Sequence, residues 1–228
     1  MNFIFMLTQD DQTVPNAMQV LDIALEQGIR HLGFKDVGAS RDQMRAITEA
    51  IGDAGGTSYM EVVSTTSESV RRSMETARQI GVDYVLGGQD LESAREILEG
   101  GLARYYPFPG RPRGHPTSLG GTPEDIARDC HAFVEAGCAG VDLLAYRATE
   151  ADPLELVRAA RASLCGRGLI VAGSIDRPER VHALARAGVD AFTIGSAIFD
   201  GSFSPTRDSM PSRLKDVLDV CANAPCAA

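Results

Sequence analysis

The sequence predicts an α/β fold: a single (β/α)8 TIM barrel over residues 1–228, with phosphate-binding turns after strands seven and eight. Three observations carry this. Apolar runs of strand length alternate with amphipathic runs of helix length eight times along the chain. Helices close at glycine and the next apolar run follows at once, in EQG, QIG, EAG, LCG and RAG. The last two units, Leu169 to Phe203, each close their strand with a small-residue turn, Gly173-Ser174 and Gly195-Ser196. Right-handed crossovers allow an open doubly wound sheet as well as a barrel. An open sheet would be favoured by an early GxGxxG turn, which the chain lacks, and eight units fit 228 residues as a barrel.

In order, the first strand is Phe3–Leu7, ending in Thr8-Gln9-Asp10, and its helix runs from Val14 to Gln27. The second strand, Ile29–Phe34, is closed by Lys35, and Ser40 caps the helix that follows. Ser58–Val63 carries Glu61 in mid-strand, and Ser67 opens a helix to Gly81. Asp83–Leu86 precedes a short helix ending at Gly100. Ala103–Tyr106 runs into an irregular segment, PFPGRPRGHPTSLGG, before a helix from Thr122 to Ala136. The sixth strand, Gly140–Leu144, is followed by a helix from Pro153 to Gly166. Leu169–Ala172, the amphipathic Pro178–Ala187 and Ala191–Ile194 complete the barrel, and Ser212–Ala222 is the last helix.

Composition narrows the function classes. A net charge of −9 argues against a nucleic-acid binder, which would present a basic face. No apolar run reaches the ~18 residues of a membrane span, and the alternating N-terminus MNFIFMLTQDDQ reads as a strand, not a signal peptide. The five cysteines, Cys130, Cys138, Cys165, Cys221 and Cys226, form no CxxC pair, so buried or free thiols in a reducing cytoplasm are expected. The four histidines are dispersed and no HExxH occurs, so no catalytic metal is expected, although carboxylate-bound Mg2+ leaves a weaker trace. His131 and His182 fall in helices and are expected to be solvated; His31, low on strand two, reads as structural. No cofactor signature is present.

Working groups of a barrel sit at strand C-termini and the loops after them. Alternation puts Gly33 and Lys35 on one side of strand two, Leu32 and Phe34 on the other. Tyr59, Glu61 and Val63 share a face of the next strand, so Lys35 and Glu61 are expected to meet in the barrel mouth. A lysine there can serve as a proton-transfer base, a Schiff-base nucleophile or a fixed cation for an oxyanion. The alternative is an ion pair that only orders the barrel. Asp142 is the third charged group inside a strand, either functional or bridged to Arg104. Asp36 alternates away from Lys35 unless the strand ends there, and Asp10 and Gln89-Asp90 either contact substrate or cap helices. The Pro-rich segment Tyr106–Ser118 carries Arg111, Arg113 and His115, which suit an anionic substrate if the segment is a binding loop or lid. A rigid surface loop is the alternative.

Glycine admits an anion close to the backbone, and a following helix N-terminus offers free N–H groups. Gly173-Ser174 and Gly195-Ser196 suit that use, though Ser174, Asp176 and Ser196 also have a simpler role as helix caps. These last two units resemble the phosphate-binding barrels of the ribulose-phosphate-binding superfamily. That group includes sugar-phosphate epimerases, amino-sugar isomerases and phosphate-dependent decarboxylases. Thr193-Ile194-Gly195-Ser196-Ala197-Ile198 looks like the final strand and turn of the N-acetylmannosamine-6-phosphate 2-epimerases, and Val171 to Gly188 is similar in pattern to the unit before it. The resemblance implies that the amides of Gly173, Ser174, Gly195 and Ser196 hold a substrate phosphate. Those epimerases carry a glutamate in the strand-seven turn where Gly173 stands, which implies that the turn anchors substrate and does not react with it.

The expected function is therefore an enzyme of carbohydrate metabolism acting on a small phosphorylated sugar or carbonyl compound. Isomerisation or epimerisation by proton transfer through Lys35 and Glu61, with Asp142, is the first expectation. A class I aldolase or lyase with Lys35 as Schiff base, and a non-catalytic phosphometabolite-binding barrel, are the alternatives. Arg111 and His115 are expected to help hold the anion. The expected partner is the substrate, with no nucleic acid, no membrane, no cofactor and a possible homodimer.

Overall fold

In the computed structural model, which describes residues 1–225, eight parallel strands make one sheet. They are β1 Asn2–Met6, β2 His31–Lys35, β3 Thr57–Val62, β4 Tyr84–Gly87, β5 Arg104–Tyr106, β6 Gly140–Leu143, β7 Gly168–Val171 and β8 Ala191–Ile194. Their order is β6-β7-β8-β1-β2-β3-β4-β5. The seam between β5 and β6 is drawn together by two backbone bonds, Ala139 N to Tyr105 O at 3.1 Å and Asp142 N to Pro107 O at 3.0 Å. The result is a nearly closed (β/α)8 barrel.

Helices α1 Ala17–Glu26, α2 Arg41–Asp53, α3 Ser67–Ile80, α4 Leu91–Leu98, α5 Pro123–Glu135, α6 Pro153–Ser163, α7 Pro178–Arg186 and α8 Met210–Ala222 form the outer ring. Ser40, Thr66 and Thr122 each start a helix with a reciprocal capping box, two orphan donors being satisfied at once. A single further turn, Ser196–Phe199, follows β8. None of the described helices is long and apolar enough to cross a membrane.

Alternation along the strands builds two apolar shells. Phe3, Phe5, Leu32, Phe34, Met60 and Val62 point out against the helices, while Ile4, Met6, Tyr59, Leu86, Tyr106 and Ile170 fill the inside. The N-terminal end of the interior is plugged by tyrosines. Tyr59 stacks on Tyr84 at 4.5 Å between ring centroids, Tyr84 meets Tyr106 at 5.6 Å, and the Tyr59 hydroxyl lies 2.9 Å from His31 Nδ1. Tyr106 fits only because β6 and β7 begin with glycine: a Cβ on Gly140 or Gly168 would lie 2.3 Å from it.

Three segments differ from expectation. The first helix starts at Ala17 and not Val14, because Thr8–Gln9 and Gln12–Thr13 pair as a small antiparallel hairpin. The segment after β5 is not irregular: Arg111–Arg113 pairs with Ser118–Gly120 in a second hairpin. The last helix begins two residues early, at Met210, because Ser209 accepts from Ser212 N as its cap. His182 is half-buried in α7, not solvated, and its Nε2 has no partner among the described residues. Cys130 and Cys138 are buried free thiols, and Cys226 lies outside the described residues.

Candidate functional site

The chemistry-bearing side chains gather at the C-terminal end of the barrel, where strands end and polar groups can be reached. Lys35 is the last residue of β2 and pairs in register with Glu61 on β3. Both face inward and both are buried, and Lys35 Nζ lies 3.3 Å from Glu61 Oε2. The backbone of Lys35 is pinned as well: its N–H donates to Thr13 Oγ1, and that hydroxyl donates to Lys35 O, each at 2.9 Å.

A closer partner for the lysine comes from the first hairpin. Asp10 and Asp11 form its two-residue loop with φ of 49° and 62°, the left-handed pair that such turns require and that aspartate tolerates. This turn carries Asp11 over the barrel mouth, where Oδ1 accepts from Lys35 Nζ at 2.6 Å. Arg147, at the end of the 3-10 turn Ala145–Arg147 after β6, grips the same carboxylate with both terminal nitrogens at 2.9 Å. The Thr117 amide of the second hairpin adds a bond to Asp11 Oδ2 at 3.0 Å. Burial pushes the Asp11 carboxyl up, but the Arg147 bonds and the Lys35 charge outweigh it and hold the group well below the usual carboxylate range. Arg147 in turn loses by burial and gains more from Asp11, so its guanidinium stays charged.

Asp142 on β6 completes the charged layer. It is fully buried, and neither carboxyl oxygen has a hydrogen-bond partner among the described residues. Burial drives its carboxyl well above the usual range and the Glu61 charge adds to this, against the pull of Lys35 and Arg147. The expected alternative bridge to Arg104 is not formed. Arg104 sits at the opposite end of the barrel, donating to the Tyr84 hydroxyl at 2.9 Å.

A cavity of about 310 Å³ opens above this layer. Lys35, Glu61, Asp11 and Arg147 line it together with Gly173, Ser174, Gly195 and Ser196. Gly173 and Ser174 have φ of 79° and 55°. Gly173 is also required sterically, since a Cβ there would lie 2.5 Å from Arg147 Nε. The amides of Gly173, Ser174 and Gly195 donate to no protein acceptor among the described residues, so they are available to a ligand. Arg180 bonds the Ser174 carbonyl and lies over the Tyr146 ring at 4.6 Å, which fixes a cation behind the turn. Neither Ser174 nor Asp176 caps α7, whose N-cap is Arg177; Asp176 is paired with Arg177 and Arg180. Ser196 Oγ instead accepts from the Asp10 amide at 3.2 Å, tying the β8 turn to the first hairpin.

Arg111 and His115 do not join this site. Arg111 starts the second hairpin on the side facing α5 and is forked between Asp125 at 2.6 Å and Glu150 at 2.5 Å. His115 is exposed at the tip, and only its neighbour Pro116 lines the cavity. Asp36 turns from the interior to the end of β3, accepting from Val63 N at 2.9 Å and from Ser73 Oγ at 2.7 Å. Asp11 and Arg147 were not among the expected site residues. A second cavity of about 400 Å³, lined by Val62, Val63, Val70, Phe108, Arg113 and Thr117 among others, lies on the far side of the hairpin and shares no lining residue with the first.

No family model matches the chain, and no curated protein matches it in sequence. Solved structures do match in shape. Orotidine 5'-phosphate decarboxylase from Pyrococcus horikoshii OT3 is 14% identical with a TM-score of 0.66, covering 97% of this chain and 99% of that one. A thiamine phosphate pyrophosphorylase from Pyrococcus furiosus is 14% identical with a TM-score of 0.67, covering 98% and 96%. A mutant tryptophan synthase alpha-subunit from Pyrococcus furiosus is 16% identical with a TM-score of 0.65, covering 97% and 98%. The chain therefore has the (β/α)8 barrel fold of these three proteins along nearly its whole length.

Proposed function

We propose that this barrel is an enzyme acting on a small phosphorylated sugar or carbonyl compound, and that it works by proton transfer as an isomerase or epimerase. One observation carries the reading: a single cavity joins the Lys35–Glu61 pair to the two glycine-serine turns. The phosphate docks on the free amides of Gly173, Ser174 and Gly195, beside Arg147 and backed by Arg180. Glu61 takes the proton beside the carbonyl, and Lys35, held as an ion-paired ammonium, stabilises the enediolate oxygen. Asp11 fixes the lysine in place. Two of the structural relatives are named for phosphorylated compounds, which supports a phosphate seat in this fold.

The ion pairing of Lys35 favours this chemistry over a Schiff base, since an ammonium has no lone pair with which to attack a carbonyl. The test is proton NMR of a panel of aldose and ketose phosphates incubated with the protein in D2O. Solvent deuterium entering the carbon next to the carbonyl, abolished in Glu61→Gln, is the expected result. A borohydride-trapped adduct on Lys35 would replace it with an aldolase or lyase. Phosphate binding without exchange or adduct would leave a non-catalytic binding barrel.

A further inference from the structure

Among the buried groups of the charged layer, Asp142 is the one with nothing to hold it. Asp11 accepts from Lys35, Arg147 and the Thr117 amide, and Glu61 lies against Lys35. Asp142 is fully buried and both of its oxygens are without a partner among the described residues. The charged groups that act on it are Glu61 from β3, Lys35 from β2 and Arg147 from the turn after β6. Asp11 is bound to both Lys35 and Arg147 and Glu61 lies against Lys35, so the two cations of the layer are already matched by two carboxylates. Were all three carboxyl groups ionised, the layer would carry a net charge of −1, with the third charge on a fully buried group whose oxygens have no donor among the described residues. An unpaired buried carboxylate is far more costly than an unpaired buried acid, so the excess charge is removed by a proton. Of the three, only Asp142 has no cation within ion-pair distance.

We propose that Asp142 is carried as the neutral acid in the folded protein and acts as a positioning residue. By withholding a third negative charge it leaves Glu61 as the base paired with Lys35 and lets the cavity above accept a phosphorylated ligand. The second half of this role rests on the function proposed above; the first does not. When Asp142 ionises its proton goes to solvent and the layer passes from neutral to −1. The new carboxylate competes with Glu61 for Lys35 and repels the incoming phosphate. The barrel floor thus carries an alkaline limit that no residue touching the ligand supplies.

Infrared spectroscopy of the full chain tests the neutral acid directly. At about pH 7 the protein is expected to show a carboxylic-acid C=O band, well above the ionised carboxylates, that shifts on labelling with carboxyl-13C aspartate and is missing in Asp142→Asn. Absence of an isotope-shifted band in the labelled protein overturns the proposal whether or not the variant folds, and so does a band that survives in Asp142→Asn. Calorimetric titration with inorganic phosphate tests the positioning role. Asp142→Asn is expected to bind within about twofold of the original protein at about pH 7 and to lose affinity less than the original protein as pH rises. Parallel weakening of both overturns the role. Absence of phosphate binding by both defeats the phosphorylated-substrate reading and the positioning role together, and leaves the infrared result to stand or fall alone.

Discussion

Strand β3 carries Tyr59 and Glu61 two residues apart on the same inward face, and they belong to opposite worlds. At the Tyr59 end the barrel is filled by stacked rings whose polar atoms are met by neighbours: His31 for Tyr59, Arg104 for Tyr84. Burial pushes the Tyr59 and Tyr106 hydroxyls above their usual range, so these rings stay neutral. At the Glu61 end the same diameter is filled by ion pairs, one unpaired acid and a cavity. Apolar filling stabilises outright, whereas buried ion pairs roughly break even against well-packed hydrophobic groups. The N-terminal end therefore does more to hold the barrel together, while the C-terminal end keeps charged groups that add little to stability.

The comparison breaks most sharply under substitution at the charged end. Lys35→Met is expected to lower turnover by about 10²–10⁴-fold, with inorganic phosphate still binding but more weakly because the layer loses one cation, read by deuterium exchange and calorimetry. Tyr59→Ala is expected to do the opposite, costing about 3–5 kcal/mol in urea unfolding with activity per folded molecule kept. Equal loss of activity in both variants would erase the division between the ends. Gly173→Ala comes next. It forces a side chain into the left-handed region and against Arg147, with an expected cost of about 1–3 kcal/mol and weakened phosphate binding. Arg111→Ala should be smallest, with turnover unchanged and the urea midpoint barely moved, because Arg111 and Glu150 are open to solvent.

Acid and alkali sharpen the contrast within the charged end itself. The depressed Asp11 carboxyl contributes stability that is complete above its unfolded value of about 3.9 and is lost as pH falls toward its lower folded value. The raised Asp142 carboxyl has the opposite sign: the folded protein binds the extra proton, so stability declines as pH rises from about 3.9 toward its folded value. Asp142→Asn should therefore unfold at a higher temperature than the original protein at neutral pH, the gap closing below about pH 4. A gap that is constant with pH would mean that the substitution acts through packing alone.

The strands, their order and the Lys35–Glu61 meeting were legible in the sequence because period-two alternation decides which side chains enter a barrel. Register did the rest, since the last residue of β2 pairs with Glu61, one short of the end of β3. Asp11 was hidden by a turn, not a strand. Its signal was present in Thr8-Gln9-Asp10-Asp11-Gln12-Thr13, a two-residue loop of αL-tolerant aspartates between β-compatible residues. Arg147 was harder to see, because the 3-10 turn that aims it has no apolar period to place it. Arg111 and His115 were misplaced for a related reason: charge in a long loop says nothing about which side of an unseen hairpin it will occupy.

The bond from the Thr117 amide to Asp11 gives the molecule a gauge of its own state. The carboxylate that seats the lysine is also the latch of the hairpin, so the hairpin cannot lift without loosening Lys35 and Arg147. An exchange rate measured at that one amide proton would count how often the charged layer comes apart, without a substrate ever being known.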